Sequence, residues 1–237
     1  MKPPPGVLGR YVWLWILGVA VGFFEAAVVV YLRKLYYPDG FDFPIVMAST
    51  DIALVEIARE LASIVLLAAG ARLAGAFFLE RFAAFMILFG IWDILYYVFL
   101  KLVLGWPASL ATWDVLFLIP VPWIGPVWAP VMVSLALVAC GSYLYWTSDR
   151  PRRVRALDWV VEITGGLIVI LSFTLQWRVV LEGRMPGDFH ASVFWAGWLI
   201  ALAWFVWRER QERTRLVTES RALAAARPHD VPESRAV

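Results

Sequence analysis

The feature that most constrains this chain is a series of apolar runs, each about as long as a bilayer is thick. An α-helix needs about 20 predominantly apolar residues to cross the hydrocarbon core. Six such runs occur in the 237 residues, at 11–32, 52–70, 77–104, 127–146, 159–177 and 189–207. Hydrophobic residues make up 62% of the chain, against about 45–50% in soluble domains. The sequence therefore predicts an all-α, polytopic membrane helix bundle with about six transmembrane helices.

The chain divides into three parts around these runs. Residues 1–10 form a cytoplasmic, proline-rich lead, 11–207 the six-helix transmembrane domain, and 208–237 a basic cytoplasmic tail that is partly disordered. The first run is longer than the core of a signal peptide, which spans about 7–15 residues, and it contains Glu25. We therefore expect it to be retained as the first span.

The segment 112–126 breaks the pattern. It is apolar and helical in periodicity at its start, but Pro120, Pro122 and Pro126 follow. Proline interrupts the helical hydrogen-bond ladder, and irregular backbone at membrane depth occurs only where protein or a polar cavity surrounds it. The sequence predicts one re-entrant or broken half-helix here, and no crossing.

The basic residues are unevenly distributed between the two sides of a six-span bundle. One side carries 14 of them, including both ends of the chain and the 150–155 cluster, and the other carries 4. Cytoplasmic loops are enriched in lysine and arginine. This asymmetry predicts a multi-pass protein of a bacterial cell (inner) membrane with both termini in the cytoplasm.

Several ionisable residues lie inside the predicted spans, where they are expensive and by default suggest function. Counted from the helix ends, five carboxylates fall in the outer half of the bundle, and we predict that they form the site. They are Glu25, Glu56, Glu60, Asp93 and Asp114.

Helical spacing brings further residues toward these carboxylates. Glu56 and Glu60 are separated by one turn and share a face, with Arg59 beside them. Asp93, Tyr97 and Lys101 form one stripe. His190 begins the sixth span on the same side. Arg59, Tyr97, Lys101 and His190 are therefore the predicted substrate-binding or charge-balancing residues.

Charge balance favours a functional site over a purely structural network. Five acids against the two bases Arg59 and Lys101 leave excess negative charge in a low-dielectric region. Protonated carboxyls or a bound cation would relieve it. Carboxyls that hold protons in a partly dry pocket suit general acid–base catalysis and proton coupling alike.

A structural interpretation remains open for single residues. Asp114 would complement a helix dipole, Lys101 would snorkel to the interface, and Arg59 would latch its two glutamates together. His190 would be a polar loop residue.

Other residue types exclude several classes of site. The lone Cys140 excludes an internal disulfide and CxxC motifs, and two histidines exclude the usual multi-histidine metal centres. Phosphate-binding loops and the common hydrolase motifs are missing from the sequence. The sequence identifies no cofactor or metal and gives no sign of nucleic-acid binding.

Three functional classes remain. The first is a membrane-embedded enzyme or binding protein for a lipid or isoprenoid-like molecule, using acid–base chemistry in the outer pocket. The second is a proton- or cation-coupled transporter, and the third an accessory subunit of a membrane complex. The inner half offers few polar residues, chiefly Glu162 and Thr164, which favours the first class over the second. The lipid bilayer is the expected partner, and homo-oligomerisation stays open.

Overall fold

Helices make up most of the structure, as the sequence predicts. The computed structural model describes residues 6–46 and 49–225. Its elements are α1 (Val7–Tyr36), α2 (Thr50–Ala74), α3 (Phe78–Leu104), β1 (Trp113–Phe117), β2 (Trp123–Pro126), α4 (Trp128–Trp146), α5 (Ala156–Thr174), α6 (Trp177–Leu181) and α7 (Ala191–Ala225). The start of the proline-rich lead and the predicted disorder at the end of the tail lie outside the described residues.

Within residues 6–46 and 49–225, five segments are long and apolar enough to cross a membrane. They are α1, α3, α4, the α5–α6 stretch Ala156–Leu181, and α7 over Ala191–Ala222. The remaining predicted span, α2, has 25 residues, which at about 1.5 Å per residue would exceed a 30 Å hydrocarbon core. Every 18-residue window within α2 contains at least three charged residues, so this helix is less apolar than the other five.

Helix α2 lies antiparallel to α1 along most of its length. Arg59 near the middle of α2 contacts Glu25 of α1. At the other end, Arg10 Nη1 donates to the Ala74 carbonyl over 3.1 Å. Leu67 and Ala71 are buried with the core residues of α1 and α3. Its central charged residues, Glu56, Arg59 and Glu60, are therefore at least partly buried against neighbouring elements, whereas Asp51 and Arg72 near its ends are exposed.

The segment 112–126 is an antiparallel β-hairpin, which corrects the predicted half-helix. Trp113 pairs with Pro126 and Val115 with Ile124, with an irregularity before Phe117. The prolines prevent a helix, and aromatic and β-branched residues suit paired strands. The expectation that this segment contains no membrane-crossing helix is confirmed.

Glycines allow close helix contacts in several pairs, among them α1–α3 and α5–α7. A Cβ atom on Gly18 of α1 would lie 2.7 Å from Ile91 Cγ2 of α3, and one on Gly22 would lie 3.0 Å from the Trp92 carbonyl oxygen. In the α5–α7 pair, a Cβ atom on Gly197 would lie 2.6 Å from the Gly165 carbonyl oxygen. These approaches bring backbones together, as small residues do between membrane helices.

The last helix continues well past its apolar part and is tied to the bundle by ion pairs. Arg208 Nε contacts Asp158 Oδ1 of α5 at 2.7 Å, and Glu209 Oε1 contacts Arg152 Nε at 3.2 Å. The described part of the basic tail is therefore a helix fixed against the 147–158 region.

Candidate functional site

The predicted site residues lie toward the end of the bundle that carries the β-hairpin, here called the hairpin end. Helices α1 and α3 end there and α2 begins there. The hairpin follows α3 through Gly105, whose positive φ of 70° ends that helix. The site is therefore built from α1, α2, α3, the start of α4 and the hairpin.

Arg59 joins two glutamates from different helices. Its Nη1 contacts Glu25 Oε1 of α1, while its Nη2 and Nε lie 2.8 Å from Glu56 Oε2 one turn earlier in α2. Ser63 Oγ donates to Glu25 Oε2 over 3.0 Å. We call Glu25, Glu56 and Arg59 the Arg59 triad. The sequence left open a latch between Arg59 and its neighbours Glu56 and Glu60, whereas the observed ion pairs are with Glu56 and with Glu25 of α1, so the triad joins α2 to α1.

Glu60 and Asp93 accept hydrogen bonds from neutral donors. Glu60 Oε2 accepts the Leu118 backbone N–H over 2.9 Å and so connects α2 to the hairpin. Asp93 Oδ2 accepts the Ser134 hydroxyl over 2.7 Å and connects α3 to α4. Within the described residues, neither carboxyl forms an ion pair with an arginine or lysine.

Asp114 is paired with an arginine from the last turn of α1. Arg33 Nη2 lies 3.0 Å from Asp114 Oδ1, and both side chains are buried. The guanidinium group lies between two aromatic rings, 3.5 Å from the Trp106 centroid and 4.3 Å from the Phe41 centroid. Burial raises the pKa of Asp114 to about 6, although the Arg33 charge acts in the opposite direction. Desolvation of this carboxylate therefore outweighs its ion pair.

Two tyrosines of α3 lie within electrostatic range of several of these groups. Tyr96 is close enough to Asp114, Arg33, Glu25 and Arg59 to interact electrostatically with all of them, and Tyr97 interacts with Asp114. The five carboxyls, both arginines and the two tyrosines form what we call the carboxyl network. Its members are Glu25, Glu56, Glu60, Asp93, Asp114, Arg33, Arg59, Tyr96 and Tyr97.

The remaining two predicted residues make other contacts. Lys101 Nζ donates to the Gly105 and Pro107 carbonyls over 2.9 and 2.8 Å, so it stabilises the loop after α3. His190 is exposed at the start of α7, where its carbonyl accepts the N–H groups of Val193 and Phe194. No contact between these two side chains and the five carboxyls is recorded within the described residues.

Sequence reasoning missed the second guanidinium group of the network. The apolar run that predicts the first span ends at residue 32 and leaves Arg33 in the following loop, but α1 continues to Tyr36. The sequence does contain a signal that Arg33 faces the neighbouring helices. Arg33 follows Gly22 by 11 residues, which is about three helical turns, so the two residues lie on the same face of α1. The hydroxyl donors Ser63 and Ser134 carried no comparable signal.

An apolar core lies between the carboxyl network and the opposite end of the bundle. Its buried side chains come from all four helices that surround the network, and include Leu14, Leu67, Ile87, Leu88 and Leu144. The network therefore lies on one side of the core. Arg59 is shared by two glutamates, and Arg33 is paired with Asp114. Glu60 and Asp93 therefore remain able to hold or exchange a proton.

The described residues contain no group of three or more histidine, cysteine, aspartate or glutamate side chains arranged to hold a metal ion. A surface concavity of about 620 Å³ lies along α7 and is lined by that helix, including Trp207, Arg210 and Thr214. It does not include the carboxyl network.

Comparison with known proteins returns no match at any level. No protein-family model matches the sequence. Searches of the curated proteins and of the solved structures also find no significant similarity. The function is therefore argued from the geometry of the carboxyl network alone.

Proposed function

We propose that this chain is a membrane-embedded enzyme that binds a lipid-like amphipathic molecule and acts on it by proton transfer at the carboxyl network. The observation that supports this proposal most is that Glu60 and Asp93 form no ion pair with an arginine or lysine in the part of the chain that the structure describes. A network that served only as a structural latch would be expected to pair these acids as it pairs the others. General acid–base catalysis requires positioned groups that hold and release a proton.

The position of the Arg59 triad supports access from the lipid. The side chains of Arg59, Glu56 and Glu25 keep 20%, 13% and 10% of their surface exposed. They are flanked by the exposed apolar side chains of Phe24 and Val55. A molecule with a polar head and an apolar chain would find both kinds of surface here, between α1 and α2.

The apolar core argues against a transporter. A polar path through the bundle would have to pass side chains such as Leu67, Ile87 and Leu88, which are completely buried. The network is therefore better suited to a reaction on one side of the membrane than to transport across it.

For the arrangement in the membrane, we propose six crossings with both termini in the cytoplasm of a bacterial cell and the hairpin end outward. The supporting observations are the 14 to 4 distribution of basic residues and the packing of α2 along α1. In a Cys140→Ala background, a cysteine at position 40 should react with an impermeant reagent from outside. Cysteines at 76 and 152 should react only after permeabilisation. Reaction at both 40 and 76 from outside would show that α2 does not cross.

The proposed reaction predicts that isosteric changes abolish activity and leave the fold intact. Membranes of cells expressing the wild-type chain should show a changed lipid species by mass spectrometry. Asp93→Asn and Glu60→Gln should each lower the rate of that change by about 10²–10⁴-fold, the usual contribution of a general acid or base.

The matched control is Glu182→Gln, since the Glu182 side chain is exposed and pairs with the nearby Arg184, away from the carboxyl network. It should keep wild-type activity. Folding of all variants is checked by size-exclusion chromatography and thermal unfolding. Full activity in both network variants would refute the proposed mechanism. Proton uptake by liposomes containing the wild-type chain would favour a transporter, and a stable co-purifying protein an accessory subunit.

A further inference from the structure

The buried Arg33–Asp114 pair leaves one hydrogen-bonding atom of each partner unused. Arg33 and Asp114 are 6% and 1% exposed. Their contact joins Nη2 to Oδ1, while Arg33 Nη1 and Asp114 Oδ2 have no hydrogen-bond partner among the described residues. The Tyr97 hydroxyl and the Val115 backbone N–H also act on this carboxyl group as hydrogen-bond donors, but the Oδ2 atom itself has no partner with hydrogen-bond geometry among the described residues. Leaving a buried polar atom unsatisfied is costly, so such atoms call for a partner.

A third unused atom lies beside this pair. The Trp106 ring covers the Arg33 guanidinium group, and the Trp106 indole N–H also lacks a partner in the described part of the chain. The three atoms therefore offer two donors, from Arg33 and Trp106, and one acceptor, from Asp114. Trp106 is only partly buried, so its ring connects the enclosed pair to the surface of the bundle.

The number and charge of these atoms favour a neutral group that both accepts and donates hydrogen bonds. A phosphate or carboxylate would lie against the Asp114 carboxylate, and an ammonium group against the Arg33 guanidinium group. Both like-charge contacts are unfavourable in a buried site. A hydroxyl group is neutral, accepts two hydrogen bonds and donates one. It matches the two donors and the single acceptor.

The geometry points to a binding subsite for the hydroxyl group of a neutral long-chain alcohol, formed by Arg33, Asp114 and Trp106. This subsite deepens the proposed function and rests on it, because it names the head group of the lipid-like molecule. The hydroxyl oxygen would accept hydrogen bonds from Arg33 Nη1 and Trp106 Nε1, and the hydroxyl group would donate a hydrogen bond to Asp114 Oδ2.

The test uses two probes that differ only at the hydroxyl group. The full-length protein in lipid nanodiscs is titrated with tritiated oleyl alcohol in a scintillation proximity assay, with oleyl methyl ether as the matched competitor. The wild-type protein should prefer the alcohol by at least tenfold, because the ether cannot donate to Asp114. Equal binding of the two probes would overturn the inference and would mean that water alone occupies the three atoms.

Conservative variants test whether the alcohol binds at the Arg33, Asp114 and Trp106 subsite. Trp106→Phe keeps the ring over Arg33 and removes its donor, so the preference for the alcohol should fall about tenfold. Trp146→Phe is the matched control, because the Trp146 indole N–H is also buried without a partner but packs on Tyr11, away from the hairpin. An unchanged preference in Trp106→Phe, or an equal loss in Trp146→Phe, would overturn the assignment.

The binding readout separates this inference from the proposed function. If the protein prefers the alcohol but the cells show no changed lipid species, the subsite is supported and the proposed enzyme activity is refuted. If the protein converts a lipid but binds both probes equally, the enzyme activity is supported and the subsite is refuted.

Discussion

Replacing Arg59 with methionine is expected to lower the free energy of unfolding by about 3–5 kcal/mol at pH 8. Removing one partner from a buried ion pair leaves an uncompensated charge, and losses of this size are typical. Here two carboxyls, Glu25 and Glu56, lose their common partner. The helix α2 also loses its fastening to α1. The loss is measured by unfolding of the purified protein in mixed micelles with increasing sodium dodecyl sulfate.

Two comparisons isolate the effect of the Arg59 triad. Arg72→Met changes an exposed arginine of the same helix and should alter stability by less than about 0.5 kcal/mol. Combining Arg59→Met with Glu25→Gln and Glu56→Gln should recover most of the lost stability, because no unpaired charge remains. A loss for Arg59→Met no larger than that for Arg72→Met would show that these contacts contribute nothing to the fold.

The helices could be predicted from the sequence because length and apolar composition are local properties. The runs at 77–104 and 127–146 agree with α3 and α4 to within one residue at each end. The hairpin could not be predicted in the same way. A short apolar run gives no clear distinction between helix and strand, and the pairing of β1 with β2 depends on residues across the turn.

The site was predictable as far as helix geometry reaches. Counting residues from the helix ends predicts that Glu25 and Arg59 both lie in the outer half of the bundle, and these two side chains are in contact. The same counting failed for Arg33, because the first span was ended one turn too early. The assignment of Lys101 as a counter-charge failed for another reason. A flexible side chain at a helix end can turn to the carbonyls of the next loop, as Lys101 does, and periodicity carries no information on that choice.

Changing Asp114 to asparagine provides the second large expected effect, and here two physical rules give opposite signs. Breaking a buried ion pair normally destabilises a protein, because Arg33 would keep its charge without a partner. The pKa of Asp114, raised by burial from 3.8 to about 6, indicates the reverse. Even beside Arg33, the Asp114 carboxyl group binds its proton more tightly in the folded protein than in the unfolded chain.

The thermodynamic linkage between Asp114 protonation and folding then gives the direction and size of the stability change in Asp114→Asn. Because the pKa of Asp114 is higher in the folded state, the stability from its protonated form is complete below about pH 4 and is lost as the pH rises to about 6. A difference of about two pKa units corresponds to about 3 kcal/mol. Asparagine resembles the neutral acid and cannot ionise. Asp114→Asn should therefore be more stable than the wild-type protein by about 2–3 kcal/mol at pH 8.

The measurement is a pair of unfolding curves at pH 8 and pH 4 for both proteins. The two should be almost equally stable at pH 4, and the gap should open between pH 4 and pH 6. Destabilisation of Asp114→Asn at pH 8 would show that the Arg33 ion pair outweighs desolvation. If the variant is stabilised as expected, the Asp114 carboxylate weakens the fold in which it lies. A charge kept at such a cost to stability is typical of functional sites. The same variant should then lose its preference for oleyl alcohol over the ether, because the ionised acceptor that distinguishes the two probes is gone.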